Sequence, residues 1–201
     1  LYVTFSRAAV GLTAALVIGF MLAFMMVVFP TFGRYSQPFI VGLQSFPKEA
    51  IAPLLAVWFG YGDTSKIFLA ALISFFPIFI SFVNGFKSVP REMINITTAI
   101  LLSRVYVLFT IRLPYSLPYF IGGLRVAWTL SVIGAVIAEF LGGDDGIGSI
   151  ITSANSNLEV SKAFACIFTL GIASVLIDTL IRAIGIRVVP WHEMRDWGRT
   201  A

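Results

Sequence analysis

The chain has 201 residues, 58% of them hydrophobic and 12% charged, with a formal net charge of +4 and a mean hydropathy of +0.93. Soluble domains carry about 25% charged residues, so a water-soluble globule is excluded; the basic residues sit at the ends of apolar runs and form no cluster, which excludes a nucleic-acid partner. A single cysteine, Cys166, and a single histidine, His192, exclude a disulfide framework or a metal cage within one chain, and neither metal nor cofactor is expected.

Five apolar runs reach the ~20 residues that a membrane-spanning helix needs. The first runs from Ala8 to Phe29 and stops at Pro30. The second, from Pro38 to Trp58, is interrupted by Pro47 and Pro53, so a broken helix packed inside the bundle is expected. The third covers Ser65 to Phe86 with Pro77 inside, the fourth Leu117 to Leu141, and the fifth Ala163 to Ile186. Lipid satisfies no backbone polar group, and runs this long and uniform do not suit barrel strands, so the fold class is an all-α integral membrane protein. Five spans put the chain ends on opposite sides. The segments around Gly33, from Lys87 to Pro114, and beyond Ile186 hold Arg34, Lys87, Arg91, Arg104, Arg112, Arg187, Arg195 and Arg199. The opposite segments hold Arg7, Lys66 and Lys162, with Asp63, Asp144, Asp145 and Glu159. The positive-inside rule places the first group, and the C-terminus, in the cytoplasm. Trp58, Tyr61, Tyr115, Tyr119, Trp191 and Trp197 fall near span ends, as interfacial aromatics do. The chain starts at Leu1 with no charged leader, so no signal peptide is expected.

The segment Lys87–Pro114 reads KSVPREMINITTAILLSRVYVLFTIRLP. It is longer than a turn between spans and half apolar, with Ile94, Thr97, Thr98, Leu101 and Leu102 at helical spacing. One or two short surface helices are expected, the first entered at Pro90 and the second ended by Leu113-Pro114. An apolar face on such a loop calls for a partner or for lipid.

This segment resembles the coupling loop of binding-protein-dependent ABC importer permeases, whose signature is Glu-Ala-Ala, three residues, Gly, nine residues, Ile, one residue, Leu-Pro. Ile111, Leu113 and Pro114 match, and Ser103-Arg104 fits common usage. The Glu-Ala-Ala position holds Asn95-Ile96-Thr97 and the glycine position Leu101, so the first half departs from the pattern. Pro47–Phe68, Phe75–Ile78, Leu117–Trp128, GGDDGIGSII, Asp178 and Val189-Pro190-Trp191 resemble the nitrate, sulfonate and taurine subgroup over nearly the whole chain. Members carry one further N-terminal span, so residues 1–201 are expected to form one permease domain lacking that span.

The resemblance implies the importer-type permease core, with residues 87–114 as a cytoplasmic coupling loop docking through Ile94, Thr97, Leu101 and Arg104. It implies cytoplasmic ATP-binding subunits, a second permease subunit in a homodimer, a periplasmic or lipid-anchored solute-binding protein, and a place in the bacterial inner membrane. ATP hydrolysis is expected on the separate subunit. The cargo implied is a small anion such as nitrate, a sulfonate or taurine, with riboflavin or thiamine-pyrimidine precursors as the other choice. A secondary transporter working without an ATPase is the alternative, and would be expected to show internal repeats.

Ionisable residues inside spans are costly and are functional candidates. Lys48 and Glu49 sit at the break of the second span and, with Arg125 in the fourth, are pathway candidates; pairing or snorkelling is the structural reading of Arg125. Asp178 and Arg182, one turn apart, are expected to form an internal ion pair. Glu139 closes the fourth span at an interfacial position. Gly142, Gly143, Gly146 and Gly148 are expected to form an outer turn, since no Lys-Ser/Thr follows them as in a phosphate loop.

Overall fold

The computed structural model describes residues 1–143 and 145–189. Asp144 and the terminal positions Pro190, Trp191, His192, Arg195, Trp197 and Arg199 lie outside the described residues. Among the described residues nine α-helices follow in order: α1 (Tyr2–Val28), α2 (Pro30–Gln44), α3 (Ala52–Phe59), α4 (Asp63–Lys87), α5 (Arg91–Ala99), α6 (Arg104–Val107), α7 (Leu113–Leu141), α8 (Ile147–Ser156) and α9 (Val160–Val188). A 3-10 turn, Lys48–Ile51, precedes α3, and a π-helical turn, Leu108–Arg112, joins α6 to α7.

Among the described residues, four helical runs are long and apolar enough to cross a membrane: α1, α4, the run Arg104–Leu141 and α9. A fifth crossing is made if α2 and α3 count as one broken span, bent by 79° around Lys48. This is the interruption expected from Pro47 and Pro53. Pro47 cannot donate the hydrogen bond that would continue α2, and Pro53 sits in the first turn of α3, where no donor is needed.

Helix α4 is the axis of the bundle, with α1 and α7 against it. Small residues let the backbones approach, as in membrane helix pairs generally. A Cβ on Gly11 would lie 2.8 Å from Ala70 Cβ, and one on Gly134 2.9 Å from Ala70 Cα, so α1 and α7 both close on the same point of α4. Ser131 Oγ donates to the Ala8 carbonyl at 2.6 Å, tying α7 to α1 where lipid offers no partner. Towards the other end the core is aromatic, with Phe20 edge-on to Phe82 at 5.3 Å and Phe82 stacked on Phe120 at 5.0 Å. Phe79 and Phe86 are fully buried beside them.

Three boundaries differ from the sequence expectation. Helix α1 begins at Tyr2 and not at Ala8, because Thr4 and Arg7 find buried polar partners inside the bundle. The helix ending in α7 does not start at Leu117. It runs without a break from Arg104 to Leu141, 38 residues. Helix α8, expected only as part of an outer turn, packs on α7 and α9.

Candidate functional site

Val28, Lys87, Arg112 and Val188 mark one end of the bundle, and Tyr2, Asp63, Leu141 and Val160 the other. The basic residues Arg34, Lys87, Arg91, Arg104, Arg112 and Arg187 stand at or near the first end, here called the basic end. The segment between α4 and α7 covers that end. Its first helix, α5, carries Glu92 in its opening turn, where a carboxylate suits the helix dipole. The turn that follows is closed by Ile100 N–H to the Ile96 carbonyl and by Leu102 N–H to the Thr97 carbonyl, each at 3.1 Å. Leu101 sits between them with φ of +54°, in the left-handed region. This is the position at which the family signature carries glycine, the residue that adopts such a φ without strain. Ser103 then caps α6, its hydroxyl accepting from the Tyr106 N–H at 3.2 Å.

The exposed apolar face of this segment differs from the one expected. Ile94 is half-buried and Thr97 buried, its hydroxyl donating to the Ile94 carbonyl at 2.8 Å. The outward face is Met93, Ile96 and Ile100, continued by Leu101 at 90% exposure and by Val105. Both arcs have helical spacing, and only the bundle decides which one turns inward. Asn95 and Arg104 are exposed, and Arg104 donates to the Val28 carbonyl at the end of α1.

Leu113-Pro114 does not end a helix. Pro114 lies in the first turn of α7 and cannot donate to a carbonyl four residues back, where its ring would also clash. The π turn from Leu108 to Arg112, which holds Ile111, takes up this misfit by widening one turn. Leu108 is fully buried and Arg112 donates to the Phe86 carbonyl at 3.3 Å, so the joint between α6 and α7 is packed against α4.

At the break between α2 and α3, Lys48 Nζ donates to the Gln44 carbonyl at 3.0 Å and lies 4.5 Å from the centre of the Phe76 ring. Glu49 beside it is exposed. The ammonium therefore caps the end of α2 while resting on α4 through an aromatic face.

Asp178 does not pair with Arg182. Arg125 reaches across from α7 and grips it with two bonds, Nε to Oδ1 at 2.9 Å and Nη2 to Oδ2 at 2.7 Å. An arginine on a facing helix can present its planar fork to both carboxylate oxygens, which a neighbour one turn along the same helix does poorly. The pair keeps partial exposure, 36% for Arg125 and 27% for Asp178. Arg125 lies about 18 Å along α7 from Leu113 at ~1.5 Å per residue, well inside the span.

A polar cluster at the opposite end escaped the sequence reading. Arg7, 4% exposed, donates to Glu139 Oε1 at 2.8 Å and contacts Asp63 and Asp145 at 2.6 Å each. Glu139, near the end of α7, is buried within the protein: its side chain has no exposure, and it also accepts from Thr4 at 3.1 Å and from the Gly148 N–H at 2.8 Å, in the first turn of α8. Lys66, itself buried, reaches Asp145 at 3.7 Å. The glycines expected as an outer turn serve this cluster. Gly142, Gly143 and Gly146 have positive φ, and a Cβ on Gly146 would collide with the Glu139 carboxylate. The available signal was one arginine at the edge of the first apolar run and one glutamate inside the fourth, opposite charges with no local partner.

A continuous helix joins an exposed apolar segment to a span, and a broken span lies beside the same bundle. This arrangement has counterparts among known proteins. A family model described as "Binding-protein-dependent transport system inner membrane component" matches residues 15–190. The chain belongs to that family. It is a multi-pass component of this inner-membrane class, and the subgroup resemblance read from the sequence agrees with its relatives. It is 35% identical to a probable ABC transporter permease protein of Haemophilus influenzae, over 77% of this chain and 65% of that protein. It is 30% identical to the formylaminopyrimidine transport permease protein of Halalkalibacterium halodurans, over 94% of this chain and 76% of that one. It is 33% identical to the taurine transport system permease protein of Escherichia coli, over 93% of this chain and 68% of that one. The chain thus spans about two-thirds of the length of the curated relatives it matches. In fold it is similar to a chain of the MetNI methionine ABC transporter, solved in inward-facing conformations, with a TM-score of 0.76, 17% identity and coverage of 94% and 92% of the two chains. The all-α permease core expected from the sequence is the fold observed, and the secondary-transporter alternative has no support in these comparisons.

Proposed function

We propose that this chain is the membrane-spanning permease subunit of an ATP-driven importer, and that residues 91–112 dock a cytoplasmic ATPase. The observation that carries the reading is mechanical. Met93, Ile96, Ile100 and Leu101 present an uncovered apolar face, and the chain leads from it through α6 and the π turn into α7 without a flexible joint. A force applied at such a face is transmitted to a span, which is what coupling ATP closure to transport requires. On this reading the basic end is cytoplasmic, in keeping with the positive-inside rule.

The subunit works as one of two copies of the same permease chain and receives a small polar solute from a separate periplasmic or lipid-anchored binding protein. The relatives named for taurine and formylaminopyrimidine transport support a small cargo of that size class. The pathway runs beside the break at Lys48 and Glu49 and past the Arg125–Asp178 pair. Charges are costly against lipid, so the partly exposed pair faces water or the second copy.

Replacing Leu101 with Asp tests the docking role. The variant is expected to insert and express normally, because Leu101 touches no span, yet to lose the ATPase on purification and to lose uptake, a loss of about 2 kcal/mol or more if the side chain is an interface anchor. Retention of the ATPase and of uptake would remove the docking assignment.

A further inference from the structure

We propose that the cavity at the basic end, walled by Arg34, Lys87 and Arg112, binds a phosphate-bearing anion. The cavity measures about 320 Å³ and lies between the last turns of α1 and α4, the first turns of α2 and the π turn. Each cation comes from a different element: Arg34 from α2, Lys87 from the end of α4, Arg112 from the π turn. Among the described residues, no aspartate or glutamate lines the cavity. The guanidiniums of Arg34 and Arg112, gathered on one concavity, create a positive potential that favours an anion. Arg112 is fixed at the wall by its bond to the Phe86 carbonyl through Nη1, which leaves further N–H donors of its guanidinium for a ligand. Gly33 shapes the narrow side: a Cβ there would lie 2.7 Å from the Met26 carbonyl oxygen, so α2 can begin close against α1 only with glycine. Arginine forks match the oxygens of a phosphate group.

The cavity sits where the spans end, the level of lipid headgroups. Phosphate chemistry there has two sources, an anionic phospholipid headgroup or a free phosphate ion. Either would bridge α2, α4 and the π turn, and so stiffen the joint through which the docking segment meets α7. That consequence rests on the proposed function; the binding does not.

The test uses the purified full chain in nanodiscs of phosphatidylcholine, with phosphatidylglycerol added in one arm and inorganic phosphate in another, read by thermal unfolding. The bound anion should raise Tm by roughly 3–6 °C, the shift expected of a ligand at about ten times its Kd on a chain of this size. Arg34→Gln with Arg112→Gln should abolish most of the shift, whereas Arg187→Gln, a cation of the same end outside the cavity, should keep it. Arg34→Gln alone, at an exposed position, decides the matter if the double variant does not fold. A shift with phosphatidylglycerol only assigns a lipid headgroup, and a shift with phosphate assigns a free ion. The proposal is overturned if neither produces a shift, if the cavity variants keep it, or if Arg187→Gln loses it equally.

Discussion

At the scale of single residues, Leu101 is the clearest case of sequence and backbone disagreeing. A leucine in the left-handed region costs about 1–2 kcal/mol relative to glycine's freedom there, and this one is also 90% exposed. Leu101→Gly should therefore leave thermal stability equal or slightly raised, whereas Leu101→Val, whose branched Cβ tolerates that φ worse, should lower it. Asp178 gives a second test. Asp178→Ala strands the Arg125 charge, and folded yield measured by size-exclusion of a fluorescent fusion should fall, by about 3–5 kcal/mol in stability terms for a fully buried pair and by less here, since both groups keep some exposure. Adding Arg125→Ala should restore part of the yield, and adding Arg182→Ala should not. The sequence placed all three residues in spans correctly. It could not choose the partner, because helical spacing reports only neighbours on the same helix, and the fork grips across to another.

At the scale of elements, the Arg7 cluster joins four of them: α1, the start of α4, the end of α7 and the start of α8. Its members do not contribute equally. Glu139 is wholly buried, while the side chains of Asp63 and Asp145 are 66% and 61% exposed. Glu139→Ala should cost about 3–5 kcal/mol and abolish folded yield, while Asp63→Ala should change it little. The Arg7 guanidinium, first through its hydrogen bond, holds the Asp145 carboxyl below the ordinary carboxylate range. A depressed value means that this contribution is complete above that range and is lost as pH falls through the depressed pKa, so the part of the stability that Asp145 supplies should be constant from neutral pH to about pH 4 and decline only below it. The π turn is the other element with a specific expectation. Two glycines inserted after Arg112 should keep the ATPase bound, because the docking face is untouched, and should abolish uptake in a vesicle assay, because the joint to α7 becomes flexible. Here the sequence showed the apolar arcs and Leu113-Pro114 but not the continuity across them. A proline at a span start reads equally as a stop or as a first-turn residue, and only the packing of Leu108 and Arg112 on α4 settles it.

At the scale of the whole molecule, four of the five spans were legible because lipid demands a run of apolar residues long enough to see. The bend of the second was legible from Pro47 and Pro53, and α8 was not, being short, half polar and held by contacts with α7 and α9. Those features give a bundle with a polar cluster around the buried Arg7 and Glu139 at one end and an uncovered apolar segment at the other. The account requires that the uncovered end meet the ATPase. A photoreactive side chain at Ile100, which is 62% exposed in the turn just after α5, and another at Leu158, which is 84% exposed at the opposite end, compare the two ends directly in cells. The account predicts an ATPase adduct from Ile100 and none from Leu158; an adduct from Leu158 with none from Ile100 would contradict it.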